Sequence, residues 1–323
     1  MERIMHKWLI FRIIISAIVI FVSVFVFFGP AGGGKETEVF VVPKGAEQFD
    51  AAGELKKQGF VRSGWMARLV LAGETIEPGG YRLTKAMWLW QVTHTVTGKP
   101  SLLWVTFAGC FRREQIGEML AEVLGWDQTK LDQWNNAYKS MGPEYSEGVY
   151  YPDTYLLPID ETGAQIAKRF IDRFNEKFAP FAQKFLDADI RWVTALKIAS
   201  LIEREAAGAS DMKLISGIIW NRLNANMLLQ IDATMQYTRG KKPDGSWWGS
   251  VDLAQMKTDS PYNTYLYKGL PPTPICSPTV TSIEAVLAPE DTDCLYYLHD
   301  KNRQIHCAKT YAQHKENIQT YLQ

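Results

Sequence analysis

The chain carries no surplus of charge: 35 basic residues stand against 35 acidic ones in 323. A broad electrostatic attraction to nucleic acid is therefore not indicated, and no block of like charge stands out. A G-x-S-x-G nucleophile elbow and an H-E-x-x-H helix are both missing, which removes two common hydrolase readings. The five histidines are scattered, and His299 and His306 are expected on the surface of a C-terminal hairpin rather than on a metal. The four cysteines form no C-x-x-C pair, so a zinc site is not expected either. There is no phosphate-binding glycine loop, because Gly32-Gly33-Gly34 adjoins an apolar N-terminal run. No internal repeat is visible.

Aromatic residues are plentiful, with 11 Trp, 14 Tyr and 15 Phe. That abundance fits stacking against sugar rings and fits a bulky core equally well. The N-terminus is more informative. Arg3, Lys7 and Arg12 precede an apolar run, and Trp8 to Phe28 makes 21 residues, enough to span a bilayer. Arg12 can snorkel to the interface. Basic residues before the span predict a cytoplasmic N-terminus with the rest of the chain exported. A cleaved signal peptide ending at Gly29-Pro30-Ala31 is the alternative. The proline and the long apolar run favour a retained single-pass anchor. In an exported chain, Cys110, Cys276, Cys294 and Cys307 are free to form disulfides. Cys294 and Cys307 flank a hairpin turning near Lys301-Asn302-Arg303, but folding about that turn does not set them opposite each other. The pairing stays open.

Three regions are expected: an anchor and glycine linker (1–35), a small domain (36–99) and a larger one (100–323). The small one reads as a strand at Glu38–Pro43, a helix from about Gln48 to Gln58, a second helix capped by Ser63, a turn at Pro78-Gly79-Gly80, a strand at Tyr81–Leu83 and a helix to about Val96. The larger one opens on the β-prone Leu102–Phe107. Helices follow over Arg112–Leu124, Gly163–Phe178 and from an N-cap at Asp211, then a hairpin and a terminal helix from Tyr311. Strands and helices mix without regular βαβ alternation, so the fold class is α+β.

The segment Ser200-Leu-Ile-Glu-Arg-Glu-Ala-Ala-Gly208 places two carboxylates in an apolar, small-residue helix. Ala195, Ile198, Ala199, Ile202 and Ala206 recur at helical spacing, so one face is buried. Glu203 and Glu205 lie about 200° apart around that helix. One can face a cleft while the other meets solvent or a cation such as Arg204 or Arg222. Ordinary solvated glutamates are the plainer reading of this segment alone. Downstream lie three polar, loop-like segments, Leu229–Tyr237, Ser260–Tyr265 and Lys268–Pro278, with amide, hydroxyl and ring groups suited to sugars. Each is a weak signal alone, since turn-forming prolines and core tyrosines explain much of it.

In this order the segments resemble the MltG/YceG-like family of endolytic murein transglycosylases. The matching pieces are Ile198-Ala-Ser-Leu-Ile-Glu-Arg-Glu205, Gly217-Ile-Ile-Trp-Asn-Arg-Leu223, Leu229-Gln-Ile-Asp-Ala-Thr234, Pro261-Tyr-Asn-Thr-Tyr265 and Gly269-Leu-Pro-Pro272. Glu147-Gly148, Pro152–Tyr155 and Ser282-Ile-Glu-Ala285 match as well. The resemblance implies a LysM-like small domain, a catalytic acid at Glu205 and substrate-binding residues at Gln230, Asp232, Thr234, Tyr262, Asn263 and Tyr265. It implies no cofactor and no metal. Two departures are visible: Asp232-Ala233-Thr234 where the family has Asp-Pro-Thr, and Phe107–Phe111 where it has a Pro-Glu-Gly turn.

The implied reaction cleaves the β-1,4 bond between N-acetylmuramic acid and N-acetylglucosamine within peptidoglycan strands, leaving a 1,6-anhydro end and terminating glycan elongation. The implied partners are glycan strands, the inner membrane and peptidoglycan synthases, with no nucleic acid. Two other readings remain open: a non-catalytic wall-binding scaffold, and a muramidase working with Glu205 and Asp232.

Overall fold

The computed structural model describes residues 2–45 and 49–322. Helix α1 (Glu2–Phe28) holds the apolar run. Its span His6–Phe28 has a hydropathy of 2.9 and is unburied. At 1.5 Å per residue it is about 35 Å long, which exceeds the hydrocarbon thickness of a bilayer. The glycine run after it is not a free tether: Pro30 bridges Val61, and Gly32 N–H donates to Lys85 C=O (2.9 Å).

The chain forms two compact units, Met1–Val105 with Tyr155–Asp160, and Thr106–Thr154 with Glu161–Gln323. The first continues with β1 (Glu38–Val42), α2 (Ala51–Lys57), α3 (Gly64–Val70), β2 (Gly79–Leu83), α4 (Leu89–Val96), β3 (Leu102–Thr106) and β4 (Thr154–Pro158). The strands form one sheet in the order β1-β2-β3-β4. Asp50 and Ser63 cap α2 and α3 by accepting from Gly53 and Met66 N–H. The expected helix start at Gln48 lies outside the described residues. Phe40, Leu55, Phe60, Tyr81, Leu83 and Val92 are the centre of this unit's core.

Two expectations change here. Gly79 and Gly80 belong to β2 rather than to a turn. A Cβ on Gly79 would stand 2.5 Å from Pro100, and one on Gly80 would stand 2.9 Å from Leu102. Glycine therefore lets β2 and β3 close on each other. The boundary expected at 99/100 moves accordingly, because β3 and the later β4 complete this sheet.

The second unit contains α5 (Arg113–Leu124), α6 (Gln128–Asn136), α7 (Gly163–Asp187), α8 (Trp192–Glu205), α9 (Met212–Asn224), α10 (Asp232–Arg239), α11 (Val280–Leu287), the hairpin β5 (Tyr296–His299) and β6 (Ile305–Ala308), and α12 (Tyr311–Tyr321). Helix α7 runs nine residues past the expected stop at Phe178, straight through Pro180. Proline removes one helical hydrogen bond, but Phe181 and Phe185 beyond it are buried, and Phe185 stacks on Phe178 at 5.6 Å. Tertiary burial outweighs the local break. Asp211 stands before α9 but makes no side-chain cap to it, and a short 3-10 turn (Ala209–Asp211) leads in.

Two disulfides close this unit. Cys110–Cys276 joins the segment before α5 to the one before α11, with Cα atoms 5.1 Å apart. Cys294–Cys307 staples the hairpin, with Cα atoms 5.9 Å apart. The register does pair Cys307 with Tyr297, not with Cys294. However, Leu295 N–H donates to Ala308 C=O (2.9 Å), the residue Tyr296 already faces. Two residues thus oppose one, and a bend of this bulge type brings Cys294 to Cys307.

Replacing Cys110 and Cys276 together by serine reopens a loop of 166 residues. The expected loss is about 2–5 kcal/mol in denaturant unfolding under oxidising conditions, and an unchanged midpoint would mean the bond does not form.

Candidate active site

Helix α8 is buried along most of its circumference: Ala195, Leu196, Ile198, Ala199, Ser200, Leu201 and Ile202 are all inside. Its last turn sends three charged side chains in three directions, as helical geometry requires. Glu203 Oε2 accepts from Thr279 Oγ1 (2.8 Å) and Thr279 N–H (3.3 Å), at the start of α11. It is a structural brace, though its partner is not the expected Arg222. Arg204 lies over the Trp248 ring at 4.1 Å. Glu205 is half-buried, and its Oε2 accepts from the Tyr297 hydroxyl at 2.6 Å.

The surroundings of Glu205 shift it toward its neutral form. Burial pushes its proton affinity up; the Tyr297 hydroxyl opposes this, the negative charge of Asp232 adds to it, and His299 and Arg204 oppose it. The position at the C-terminal end of α8 also disfavours an anion. Burial and Glu205 together hold the Tyr297 proton in place, so the phenol stays a donor.

Asp232 is the first residue of α10, not part of a loop as expected. A helix explains why alanine serves at position 233: Ala233 is buried in its first turn and nothing there depends on a proline. Asp232 is exposed and its Oδ1 accepts from the Tyr265 hydroxyl. Burial raises the Tyr265 pKa first, with the Asp232 hydrogen bond and the charge of Glu205 adding to it. Tyr265 therefore links the two carboxylates electrostatically. Gln230 is exposed, with φ of +52° and its N–H donating to Thr264 C=O (3.0 Å). Tyr262 packs on Tyr237 at 4.9 Å and bonds Thr273 through its hydroxyl (2.8 Å).

Two of the expected substrate contacts are buried. Asn263 is 0% exposed; its Nδ2 donates to Met256 and Thr258 carbonyls (3.0 and 2.8 Å) and its Oδ1 accepts from Tyr265 N–H (2.9 Å). Thr234 is likewise 0% exposed, bonded to Ile231 C=O (2.7 Å) and the Thr264 hydroxyl (3.0 Å). An Asn has a limited set of donors and acceptors, and here the loop backbone uses them. Both residues brace the segments that carry Asp232 and Tyr265.

Sequence reasoning missed the hairpin's part. Tyr297 and His299 sit two apart on β5, hence on one face. Tyr297 reaches Glu205, and His299 Nε2 meets Asp211 Oδ2 at 3.1 Å. Asp211 in turn accepts from Ala207 N–H (3.2 Å), just past the end of α8. The alternation around Tyr297 was the available signal. Arg222 donates to Leu295 and Leu229 carbonyls (both 2.6 Å), tying β5 to the segment before Gln230. Neither histidine of the hairpin is fully exposed: His306 stacks on Tyr321 at 3.6 Å.

A second acid of this unit is buried more completely. Glu147 is 1% exposed and its carboxylate accepts from Arg113 N–H (3.1 and 3.2 Å), capping α5 from outside the helix. Burial, with Glu114 adding and Arg113 and Arg112 opposing, pushes it up to about 7. It also accepts from Tyr237 Oη (3.3 Å), whose ring carries the Arg112 guanidinium at 4.2 Å.

Fold and site together define a mixed α+β protein that presents one protonatable carboxyl from a buried helix beside a tyrosine–aspartate pair. The chain belongs to the YceG-like family, whose sequence profile matches residues 40–320. It is 34% identical over 177 residues to the endolytic murein transglycosylase of Bacillus subtilis strain 168, covering 54% of this chain and 48% of that one. It is 25% identical over 317 residues to the enzyme of the same name from Streptococcus pneumoniae strain D39, covering 87% of this chain and 58% of that one. The chain thus spans about half the length of these relatives. A crystal structure of a YceG-like protein from Listeria monocytogenes superposes with a TM-score of 0.58 at 24% identity, over 87% of this chain and 99% of that one, and shares the fold.

Asn263→Ala separates holding from contacting. The loss of three buried hydrogen bonds is expected to cost about 2–4 kcal/mol in denaturant unfolding. Unchanged stability would mean that these hydrogen bonds do not hold the loop.

Proposed function

We propose that the chain is an endolytic peptidoglycan lytic transglycosylase, anchored in the inner membrane by α1 with its N-terminus cytoplasmic and the chain beyond α1 outside. The supporting observation is the half-buried Glu205 with its raised proton affinity, electrostatically linked through Tyr265 to Asp232. Most glycosidases use two carboxyl groups, one as acid and one as nucleophile or base. A lytic transglycosylase manages with one, because the muramic C6 hydroxyl attacks its own C1 and an intramolecular nucleophile has a very high effective concentration.

In this reading Glu205, in its protonated form, donates to the departing glycosidic oxygen between N-acetylmuramic acid and N-acetylglucosamine. The C6 oxygen closes on C1, and the C6 proton returns to the Glu205 carboxylate. Acid and base are then one residue, restored in each turnover. Asp232, Tyr265, Gln230 and Tyr262 line the glycan path, and Thr234 and Asn263 support it. The β1-α2-α3-β2 order of the small unit fits a LysM-like glycan grip. Cutting nascent strands terminates their elongation, and peptidoglycan synthases are the matching partners.

The electrostatic proximity of Asp232 also supports a second reading, a muramidase in which Asp232 activates water. The product's end separates the two: a 1,6-anhydro sugar for the first, a free reducing sugar for the second. A non-catalytic scaffold would bind strands and release nothing.

Glu205→Gln in the full chain is expected to lower release of anhydro-muropeptides from intact murein at least about 100-fold, read by mass spectrometry. Undiminished release would discard Glu205 as the acid. The same variant has a stability signature. The folded protein keeps the Glu205 proton at pH values where the unfolded chain has lost it, so wild-type stability falls as pH rises from the ordinary glutamate range through the raised value. Glu205→Gln is expected to remove that fall and to match the wild type below it.

A further inference from the structure

Glu205 accepts one hydrogen bond, at Oε2, from Tyr297; among the described residues Oε1 has no hydrogen-bond partner and is not sealed from solvent. The donor is held firmly. Tyr297 pairs with Cys307 in the β5–β6 ladder, and Cys307 is bonded to Cys294. Arg222 and Asn221, both on α9, donate to the carbonyls of Leu295 (2.6 Å) and of Thr292 and Cys294 (2.6 and 3.1 Å). The hairpin is also fixed to the exit of α8, where Arg303 donates to Ala207 C=O and His299 meets the Asp211 carboxylate that binds Ala207 N–H. The hydroxyl is therefore delivered to Glu205 from a part of the chain 92 residues away that is locked at both ends.

We propose that Tyr297 is the positioning residue of the catalytic acid: by donating to Oε2 it places the carboxylic proton on Oε1, the oxygen left open to the glycan, and steadies the carboxylate after that proton has gone. The proposal rests on Glu205 being the acid of the proposed function. A carboxylic acid has two oxygens and one proton. A phenol that donates to one of them leaves the proton on the other, so the acid points where the leaving oxygen would lie. The same hydrogen bond strengthens when Glu205 ionises, because a bond to a charged acceptor is stronger than one to a neutral acceptor. Burial and Asp232 drive Glu205 toward the neutral form, and Tyr297 limits how far. An acid too reluctant to ionise donates poorly, so a balance between these influences suits one group that must act as acid and then as base.

The groups facing Glu205 are Arg204 on its own helix, Asp232 at the start of α10, Tyr265 in the following loop, Arg222 on α9, and Tyr297 and His299 on β5. Among the described residues, Tyr297 alone of these groups hydrogen-bonds the carboxylate. The others act through charge or proximity, and none of them fixes which oxygen bears the proton.

Tyr297→Phe keeps the ring and removes only the donor. In the full chain acting on intact murein, the rate at neutral pH is expected to fall about 10- to 100-fold. The alkaline limb of the pH–rate profile is expected to move up by about one pH unit, because Glu205 without its donor holds its proton to higher pH. A purely structural role would lower the rate evenly at every pH, and that result, or an unchanged profile, would overturn the proposal. A second measurement does not need turnover. The stability gap between wild type and Tyr297→Phe is expected to widen as pH rises through the titration of Glu205, and to be independent of pH in a Glu205→Gln background. A gap that ignores pH in both backgrounds would also overturn it. Should the widening appear in a chain that releases no murein product, the transglycosylase reading fails and the positioning of Glu205 stands.

Discussion

A carboxyl group at the end of a helix buried on nearly every side is the constraint on which the rest of the second unit depends. Helix α8 cannot shift or rotate without disturbing Leu196, Ile198, Leu201 and Ile202, so the direction of Glu205 is set by core packing rather than by its own flexible side chain. Taking that carboxyl out of bulk water is unfavourable for its charged form. The neighbourhood answers with one short hydrogen bond from Tyr297 and with Arg204 and His299 nearby, while Asp232 works in the opposite direction. The net result is a carboxyl whose proton affinity is raised, the direction that a general acid requires.

Around it the polar residues divide by what their hydrogen bonds are attached to. Thr234, Thr264 and Asn263 bond mainly to one another and to backbone groups, which joins the start of α10 to the Pro261–Tyr265 turn. Asp232, Gln230 and Tyr265 are carried on that frame and keep accessible surface. Buried polar groups must be satisfied, and a fully satisfied network is rigid. Rigidity here is what keeps Asp232 and Tyr265 at a fixed relation to Glu205.

Glu147 shows the same economy. It caps α5, whose own N-cap residue Arg112 makes no side-chain cap, and it reaches the hydroxyl of Tyr237, which packs on Tyr262. One buried acid thus connects a helix start to the aromatic wall beside α10. The Glu147-Gly148 motif is accounted for by this structural duty.

Much of this was legible in the chain itself. The apolar N-terminal run, the caps at Ser63 and the helical face around Ile198 and Ile202 follow from local preferences and periodicity, which need no partner to be read. The choice of Glu205 over Glu203 came from the family resemblance, since spacing only separates their directions. Tertiary structure decided the remainder. Burial of Phe181 and Phe185 carries α7 through Pro180, and strand contact turns Gly79 and Gly80 from a turn into a sheet. Complete enclosure makes Asn263 and Thr234 supports, although their side chains are as polar as those of the exposed Gln230. The meeting of Tyr297 with Glu205 joins positions 92 apart, and no local pattern encodes a contact that exists only once the hairpin has packed against the end of α8.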